Sequence, residues 1–499
     1  MKFTTSKANL LNTLQKVAKA VPLKAPLPVL EGILFEVHNN YLTVTATNLD
    51  ISIQCTTKIN GFRDGSIVLP SRYITEIVRR LPDIGEVEVE SDGLNVHLWY
   101  YTKQQDTENP IEQATLASKL EAYPTGLSKA VIQGYNSSSF PSFPSISNFK
   151  AFLSIKAGLL YEALKQVLFA VSSDESRPVF TGVLFQLFQI EAEEGYDEKK
   201  FNEGFLKLVA TDTHRLVCKT LTNKQGACST TEPGTCNLMP GAAVEQASGR
   251  QDAYPTSGPE VYPTGLTNVI VPGKNLNELT RILNQALEDE VEISLGDSQI
   301  FFIIKSAEKD EQEIYPTILV SRLIAGQFPL YQQVIPQKFI FSVCIQTQEL
   351  KAAVERAMLF TRENISLVNL SFVRQASCLS KCIISTQTEA GGVVENLTVE
   401  QASSRPGFQP GLSDDRTEEE SCLPVGQASN LSEEACSTCS IYFNAHYLVE
   451  ALRAIPTEEV YLNITGPLSA MVMQPVFRHK EDARSIEYLS LLLPARYGE

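Results

Sequence analysis

The sequence predicts an α+β protein built from three tandem domains that share one topology. A unit of strand, helix and β-hairpin occurs three times, and a second unit of helix followed by strands precedes each copy. Recurrence on this scale indicates a repeated architecture. The chain of 499 residues is also longer than one hydrophobic core can serve, so several domains are expected.

The strand–helix–hairpin unit is clearest from Ile67 to Leu98, where a short apolar strand ends at Pro70 and a helix follows. The helix has an apolar face at three- and four-residue spacing, made of Ile74, Ile77, Val78 and Leu81. The two strands after it alternate apolar and polar residues, which predicts one buried face. The same order of elements returns from Val269 and from Ile441.

The helix–strands unit begins with an amphipathic helix at residues 9–20 and returns near Leu159 and near Glu349. We therefore divide the chain into domains at residues 1–148, 149–337 and 338–499. Four irregular segments rich in Ser, Gly, Pro, Gln and acidic residues interrupt these domains, at residues 103–128, 191–204, 223–267 and 403–438. Such compositions bury little apolar surface and predict mobile loops.

The net charge of −16 argues at first against a nucleic-acid partner, but the acidic residues concentrate in the irregular segments. The six predicted helices instead carry cations on their polar faces, namely Lys16, Lys19, Arg72, Arg79, Arg80, Lys165, Arg281, Lys351, Arg356 and Arg453. Glutamates share these helices, so two interpretations stay open. The faces are ordinary solvated surface, or they form a basic surface for phosphates.

No signal peptide, membrane span or cofactor motif is visible in the sequence. The N-terminus has no continuous apolar stretch, and no apolar run approaches the roughly 18 residues that span a bilayer, so a cytoplasmic location is expected. Cys436 and Cys439 have the spacing of half a zinc site, but no second pair accompanies them. We therefore expect neither a metal nor another cofactor.

An enzymatic function rests on one pair, Asp212 and His214, which would share a face of a strand and suit acid–base chemistry. No nucleophile motif, glycine-rich phosphate loop or zinc-protease helix accompanies the pair. The sequence therefore predicts a protein that is not an enzyme.

Nine segments of the chain resemble segments of one known protein family and occur in the same order as in that family. They are MKFT from Met1, LPVLEGILFEV from Leu27, ATNLDISI from Ala46, GSIVLPSRYITEIVRRLP from Gly65, SRPVFTGVLF from Ser176, LVATDTHRL from Leu208, VIVPGKNLNEL from Val269, LVSRLIAGQFPLYQQVIP from Leu319 and LLLPAR from Leu491. In these segments the chain resembles the bacterial sliding clamps, the beta subunits of DNA polymerase III. The resemblance covers most of the chain outside the irregular segments.

This resemblance implies the DNA clamp fold and a processivity factor in DNA replication. Two copies would join head to tail into a ring around duplex DNA, with helices lining the hole and antiparallel sheets outside. The implied partners are duplex DNA without sequence preference, a second copy of the chain, the clamp loader, the replicative and other DNA polymerases, and repair proteins. The alternative is a non-catalytic interaction scaffold with the same fold that does not close around DNA.

The resemblance also implies a pocket for a short partner peptide between the second and third domains. Carried over by position, it would use Phe180, Thr211, Thr213, His214, Arg215, Leu216, Pro329, Gln333, Val334, Leu491, Leu492, Pro494, Ala495 and Arg496. Without the family, His214 and Arg215 would be ordinary surface residues of a hairpin. Thr213 replaces a glycine of many relatives, Gln333 and Ala495 replace the Arg and Met of some, and residues 497–499 extend past the usual end.

Two further sets of residues follow from the resemblance. The DNA contacts would come from Lys24, Arg72, Arg79, Arg80 and Arg177. At the joint between copies, Met358 and Leu359 would pack against Ile132 on an edge strand.

Overall fold

The computed structural model describes residues 1–83, 85–101, 127–144, 150–189, 204–222, 265–305, 315–361, 366–375, 378–388, 391–401, 438–477 and 486–495. Most of the four irregular segments and Cys436 lie outside these ranges, so the predictions for them are not addressed below. Within the described ranges no helix is long and apolar enough to cross a bilayer.

Six α-helices lie in the described ranges, and each predicted domain holds two of them. They are α1 (Lys7–Val17), α2 (Ser71–Arg80), α3 (Ala157–Leu168), α4 (Gly273–Leu283), α5 (Thr347–Met358) and α6 (Ala445–Ala454). Side chains cap two of the N-termini: the Ser6 hydroxyl accepts from the Asn9 amide, and the Asn444 side chain accepts from the amides of His446 and Tyr447.

Strands make up the rest of the regular structure. The first predicted domain has β1 (Lys2–Ser6), β2 (Gly32–His38), β3 (Tyr41–Thr47), β4 (Ile51–Lys58), β5 (Asn60–Arg63), β6 (Gly65–Pro70), β7 (Glu86–Asp92), β8 (Asn95–Tyr101) and β9 (Leu127–Gln133). The second has β10 (Lys150–Lys156), β11 (Gly182–Gln189), β12 (Gly204–Thr211), β13 (Arg215–Thr222), β14 (Gly265–Pro272), β15 (Glu290–Leu295), β16 (Gln299–Lys305) and β17 (Thr317–Arg322). The third has β18 (Phe341–Gln346), β19 (Leu367–Gln375), β20 (Cys378–Thr388), β21 (Gly391–Thr398), β22 (Glu400–Gln401), β23 (Thr438–Asn444), β24 (Glu459–Ile464), β25 (Met471–Pro475) and β26 (Ile486–Leu492).

The predicted irregular segments are slightly too long at their ends. Residues 127 and 128 already belong to β9, residue 204 to β12, residues 265–267 to β14 and residue 438 to β23. Ladder pairing explains the difference, because these residues are held by hydrogen bonds to neighbouring strands that a local composition does not reveal.

The strands form four antiparallel sheets, and two of them run across the predicted domain boundaries. One sheet has the order β10-β15-β16-β17-β4-β3-β2-β6, and another has the order β14-β11-β12-β13-β26-β25-β24-β18-β22. Two junctions result: β17 pairs with β4, and β13 pairs with β26. The remaining sheets, β5-β1-β7-β8-β9 and β21-β20-β19-β23, belong to the first and third domains.

One large hydrophobic core lies between the helices and one face of the sheets. It includes Phe3, Phe35, Phe185, Phe302 and Phe443, all fully buried. The helices pack in pairs, α1 with α2, α3 with α4 and α5 with α6. This layer arrangement is the one the amphipathic helices and alternating strands predict.

The turns before β4, β13 and β21 each contain a threonine hydroxyl that donates to a backbone carbonyl at the start of the strand. The hydroxyl of Thr47 donates to the Ile51 carbonyl at 3.1 Å, and that of Thr211 donates to the Arg215 carbonyl at 2.7 Å. In the third domain Thr388 donates to the Gly391 carbonyl at 3.2 Å, from a position one residue later in its strand. The ladders pair Thr47 with Ser52, Thr211 with Leu216 and Gln387 with Gly392. Ile51, Arg215 and Gly391, each one residue earlier, therefore occupy equivalent positions at the starts of β4, β13 and β21.

One predicted surface cation is not on the surface. The helix pattern places Lys19 on a polar face, but its Nζ is buried and has no hydrogen-bond partner among the described residues. Burial lowers the pKa of Lys19 to about 8, and nearby Glu278 opposes that shift. The prediction was wrong because a helix pattern does not show that α4 packs over the end of α1.

Candidate functional site

An apolar patch lies on the outer face of the sheet where β13 meets β26. Its buried part comprises Leu184, Val209, Leu216, Cys218, Ile270, Phe328, Tyr331, Ala470, Val472 and Leu491. Three exposed apolar side chains belong to the loop and strand end around it: Leu330 is 62% exposed, Val334 53% and Leu493 38%. Exposed apolar side chains next to a buried apolar floor are typical of a surface that binds a partner.

The turn before β13 brings His214 to the edge of this patch. Asp212 Oδ1 accepts hydrogen bonds from the backbone amides of His214 and Arg215, at 2.9 and 3.0 Å. The His214 ring stacks on the Tyr447 ring with centroids 5.8 Å apart, and its carbonyl accepts from the Leu493 amide at 2.9 Å. Asp212 is thus engaged in holding the turn.

Thr213 has a φ of 79°, which a β-branched residue rarely adopts. Glycine adopts this left-handed conformation without the steric cost that a Cβ atom brings. The turn keeps its shape because the Thr213 amide donates to the Thr211 hydroxyl at 3.2 Å.

Arg215 points away from the outer patch toward the helices. Its side chain donates to Asp212 Oδ2 at 3.0 Å, to the Phe169 carbonyl at 2.5 Å and to Glu450. The guanidinium also lies 4.5 Å from the Tyr447 ring centroid and 5.0 Å from that of Phe169. Only 7% of Arg215 is exposed, so it stabilises the turn from the helical side of the sheet.

The other predicted pocket residues divide between the two faces of the sheet. Leu216 and Leu491 lie in the outer patch, whereas Leu492 is fully buried on the helical side. Phe180 is half-buried beneath the Arg177 guanidinium, 5.4 Å away. Arg496 and residues 497–499 lie outside the described residues.

The remaining members lie on the rim. Thr211 is buried at the turn, Pro329 and Gln333 are exposed on the loop around residues 326–334, and Pro494 and Ala495 are half-buried. The Ala495 amide donates to the Tyr442 carbonyl at 2.8 Å, which holds the chain end across the patch.

Sequence reasoning missed Val472 in the buried part of the patch, Leu493 beside it, and Tyr447, which contacts His214 and Arg215 from the helical side. A signal for Leu493 was present, because side chains two apart on a strand share a face and Leu491 was already assigned. No comparable signal identified Val472, whose strand reaches the patch only through the pairing of β25 with β26 and of β26 with β13.

The equivalent outer surface at the other junction is polar. There the side chains of Thr43 and Thr56, and of Thr47 and Ser52, are hydrogen-bonded at 3.1 and 2.7 Å. Gln54 donates to Thr45 at 3.2 Å. These satisfied hydroxyls and amides offer no apolar anchor site, which favours the β13–β26 junction as the binding surface.

Comparison with known proteins shows what the chain is similar to. Residues 1–113 match the family model described as the DNA polymerase III beta subunit, N-terminal domain. The beta sliding clamp of Bacillus subtilis (strain 168) is 25% identical over 505 aligned residues, which cover 99% of this chain and 100% of the relative. The beta sliding clamp of Halalkalibacterium halodurans is 24% identical, covering 95% of this chain and 96% of the relative. The predicted resemblance to the bacterial sliding clamps is therefore confirmed, and it extends over the whole length of the chain.

Solved structures confirm the predicted clamp fold. The crystal structure of the Bacillus subtilis sliding clamp has a TM-score of 0.68 at 23% identity, covering 100% of this chain and 99% of that one. The beta subunit from Streptococcus pyogenes has a TM-score of 0.67 at 21% identity, with both chains fully covered. Because sliding clamps are non-catalytic accessory subunits of DNA polymerase III, the prediction of a protein that is not an enzyme is confirmed.

The residues predicted to contact DNA all lie on the surface of the chain. Lys24 and Arg72 are exposed, and Arg177 donates to Asp174 at 3.3 Å. Arg79 and Arg80 both pair with Glu76, and these hydrogen bonds lower the pKa of the Glu76 carboxyl. Two cations that share one carboxylate leave a surplus positive charge on α2.

The residues predicted for the joint between two copies differ in how far they are exposed. Ile132 is 5% exposed and belongs to the core of its own domain, whereas its neighbour Val131 is 55% exposed. Leu359 is 80% exposed at the end of α5, and Met358 is partly buried beside it. Val394 on the outer face of β21 is 69% exposed. Strands β9 and β21 are both at the ends of their sheets.

Proposed function

We propose that this chain is a replication processivity factor whose two copies close head to tail into a ring around duplex DNA. The ring slides without sequence preference and tethers the replicative polymerase, other polymerases and repair proteins through the outer patch at the β13–β26 junction. A clamp loader would open it, in the cytoplasm. The domains of the ring are the predicted ranges 1–148, 149–337 and 338–499.

One observation carries the ring: two of the strands at sheet ends, β9 and β21, are the repeat equivalents of the strands that pair with each other inside the chain. At the internal junctions β17 pairs with β4 and β26 pairs with β13. By position in the repeat, β9 corresponds to β17 and β26, and β21 corresponds to β4 and β13. An unpaired edge offers a row of backbone donors and acceptors, so β9 of one copy is suited to pair with β21 of another.

The internal junctions also supply the register of this joint. Leu319 faces Ile53 at one junction, and Ser490 faces Val217 at the other. Ala130 is equivalent to Leu319 and Ser490, because it follows the same ladder from the hairpin strand before it. Val393, two residues after Gly391, is equivalent to Ile53 and Val217. The register therefore places Ala130 opposite the partner's Val393, and Lys129 opposite the partner's Val394.

The helical side of the joint brings exposed apolar residues together. Phe169, just after α3, and Tyr447 on α6 contact the same guanidinium at the internal junction. Their repeat equivalents are Leu359, which is 80% exposed, and Tyr73, which is 59% exposed. Packing Leu359 against the partner's Tyr73 would remove both from water. This contact, rather than one to Ile132, is the helical part of the joint that we propose.

The charge distribution suits sliding. A ring that holds DNA by enclosure needs weak phosphate contacts that carry no sequence information. Cations on α1, α2, α4 and the loops at Lys24 and Arg177 supply such contacts. Glu76 on α2 and Glu278 on α4 limit their strength by pairing with arginines of the same helices. The net charge of −16 is compatible with this, because only the inner surface meets DNA.

Retention on topologically closed DNA tests the proposal. The purified clamp is loaded onto a nicked circular plasmid and passed through a sizing column at moderate salt. We expect it to stay with the circle and to leave after a restriction cut, since a ring slides off an open end. Equal retention on circle and linear DNA would indicate direct binding. No retention on either would favour the alternative, a scaffold that does not close around DNA.

A further inference from the structure

A cleft of about 280 Å³ lies between α3 and α6, on the helical side of the β13–β26 junction. Phe169, Ile455 and Pro456 give it apolar walls, and Lys165 and Arg453 stand among its lining residues. The cleft is on the opposite side of the sheet from the outer patch. In the proposed ring it faces the DNA.

Gln166 is the residue that indicates a ligand site in this cleft. It lines the cleft and is only 6% exposed, yet its Oε1 has no hydrogen-bond partner among the described residues. A buried amide oxygen without a partner is costly, and most such groups in proteins are satisfied. The side chain therefore indicates a ligand that donates a hydrogen bond.

The charged lining residues have different neighbours. Arg453 pairs with Glu355 at 2.8 Å and its side chain remains 60% exposed. Lys165 lies 4.9 Å from the centroid of the Tyr161 ring, and its side chain is 51% exposed. Both cations are thus within reach of a phosphate at the mouth of the cleft. Glu162 and Glu450 also line it, and they pair with Lys165 at 3.7 Å and with Arg215 respectively.

We propose that the cleft holds one unpaired nucleotide of the enclosed DNA, whose base carries an amine at C4 of a pyrimidine or at C6 of a purine, as cytosine and adenine do. The base packs on the apolar walls and its amine donates to Gln166, while the adjoining phosphates meet Lys165 and Arg453. Flat apolar surfaces, cations and a few base-edge contacts are the usual elements of single-strand recognition. The volume is near the lower end of the ~300–1,000 Å³ range of small-molecule sites. The inference rests on the proposed function, because that function brings DNA to this side.

The repeat supplies a matched control for Arg453. Arg281 occupies the same position on α4 that Arg453 occupies on α6, and it pairs with Glu278 at 2.9 Å with 68% of its side chain exposed. Replacing either arginine by methionine removes one positive charge from the helical side. The cleft itself loses a contact only in Arg453→Met.

The test measures binding of two labelled single strands of about eight nucleotides, oligo-dC and oligo-dT, by fluorescence anisotropy at low salt. The two pyrimidines have similar size, but thymine carries a keto group where cytosine carries the amine, and it also has an N3–H and a 5-methyl group. Because these other differences remain in every variant, only the loss of the preference in Gln166→Met assigns it to the amide. We expect the wild-type clamp to bind oligo-dC at least about fivefold more tightly than oligo-dT, and Gln166→Met to abolish the preference. Arg453→Met is expected to weaken both strands more than Arg281→Met does.

Three results would overturn the inference. The first is that the preference for oligo-dC survives in Gln166→Met, and the second is that the two arginine variants weaken binding equally. The third is that the wild type shows no preference, because water satisfies Gln166. Full competition by free deoxycytidine monophosphate at the same phosphate concentration would assign the cleft to free nucleotides instead. Thermal unfolding of each variant excludes misfolding. If retention on circular DNA holds while the preference is absent, only this inference fails; if circle retention fails, so does the proposed function.

Discussion

The Cζ atom of Arg215 lies 4.5 Å from the centroid of the Tyr447 ring, and this contact fastens strand β13 to helix α6. The same guanidinium bonds Asp212 in the turn that presents His214. The outer patch and the helical cleft therefore share one buried cation. This arrangement makes the shape of the proposed peptide pocket depend on a residue that does not face the peptide.

Replacing Arg215 by methionine is expected to lower the free energy of unfolding by about 3 kcal/mol, because it leaves Asp212 and Glu450 without their cation. The value is at the low end for a broken buried pair, since the Glu450 side chain is 44% exposed. Urea unfolding checks it. The exposed Arg453→Met is the control, and a loss under about 1 kcal/mol is expected there. Equal losses in the two variants would contradict the structural role of Arg215.

Replacing Leu493 by aspartate is expected to weaken binding of a polymerase-derived peptide at least about tenfold, because a charge would enter the apolar patch. Isothermal titration with the isolated peptide measures this. Leu468→Asp is the matched control, because Leu468 is 81% exposed and is not part of the patch. Unchanged affinity in Leu493→Asp would place the peptide elsewhere.

The register of the joint predicts a specific covalent link. In the double variant Lys129→Cys and Val394→Cys, oxidation is expected to give a dimer closed by two disulfides, since directly opposed residues have Cβ atoms about 4.5–5.5 Å apart. Denaturing electrophoresis without reductant detects it. The pair Lys129→Cys and Asn396→Cys is a diagonal neighbour on the same face, at about 7–8 Å, and should link poorly. The reverse pattern would mean a register shifted by two residues.

Lys219 gives a pH dependence with a defined sign. It is 4% exposed, and burial lowers its pKa to about 8, while Glu162 opposes the shift. Below about pH 8 the folded protein carries the full cost of a buried ammonium. As the pH rises toward 10.5, the ordinary pKa, the folded state releases this proton before the unfolded state does, and the cost disappears.

The variant Lys219→Met should therefore be more stable than wild type near pH 7, and its advantage should shrink by about pH 10. Urea unfolding of both proteins across this range measures the difference. Comparing the two proteins cancels the contribution of Lys19, which titrates similarly, and of the buried Cys and Tyr side chains. A constant difference would mean that Lys219 does not titrate in the folded state.

Local patterns in the sequence were sufficient for the helices and for the threefold repeat. The spacing of Ile74 and Val78 predicted a helix, and both residues are buried on α2. Pairings between distant strands could not be predicted in this way. Leu319 faces Ile53 across a domain boundary, and no periodicity within either strand specifies its partner.

The direction of Arg215 also depended on more than its neighbours in sequence. Its side of the sheet follows from the turn at Thr213, whose positive φ cannot be read from a threonine. The prediction of a surface position for Lys19 was wrong for a related reason, because the packing of α4 decides whether this side chain is buried. Family resemblance identified the surroundings of the pocket, and the alternation of β26 was needed to add Leu493.

Gly391 occupies the place that Arg215 holds in the middle of the chain. In the proposed ring, the joint between copies thus contains no guanidinium equivalent to the one that locks β13 to α6. The β17–β4 junction has Ile51 in that place and lacks the guanidinium as well, but there one continuous chain joins the two sides. The two joints between copies have neither the guanidinium nor a covalent connection. In the proposed ring they are therefore the places where the circle opens for DNA while each polypeptide stays folded.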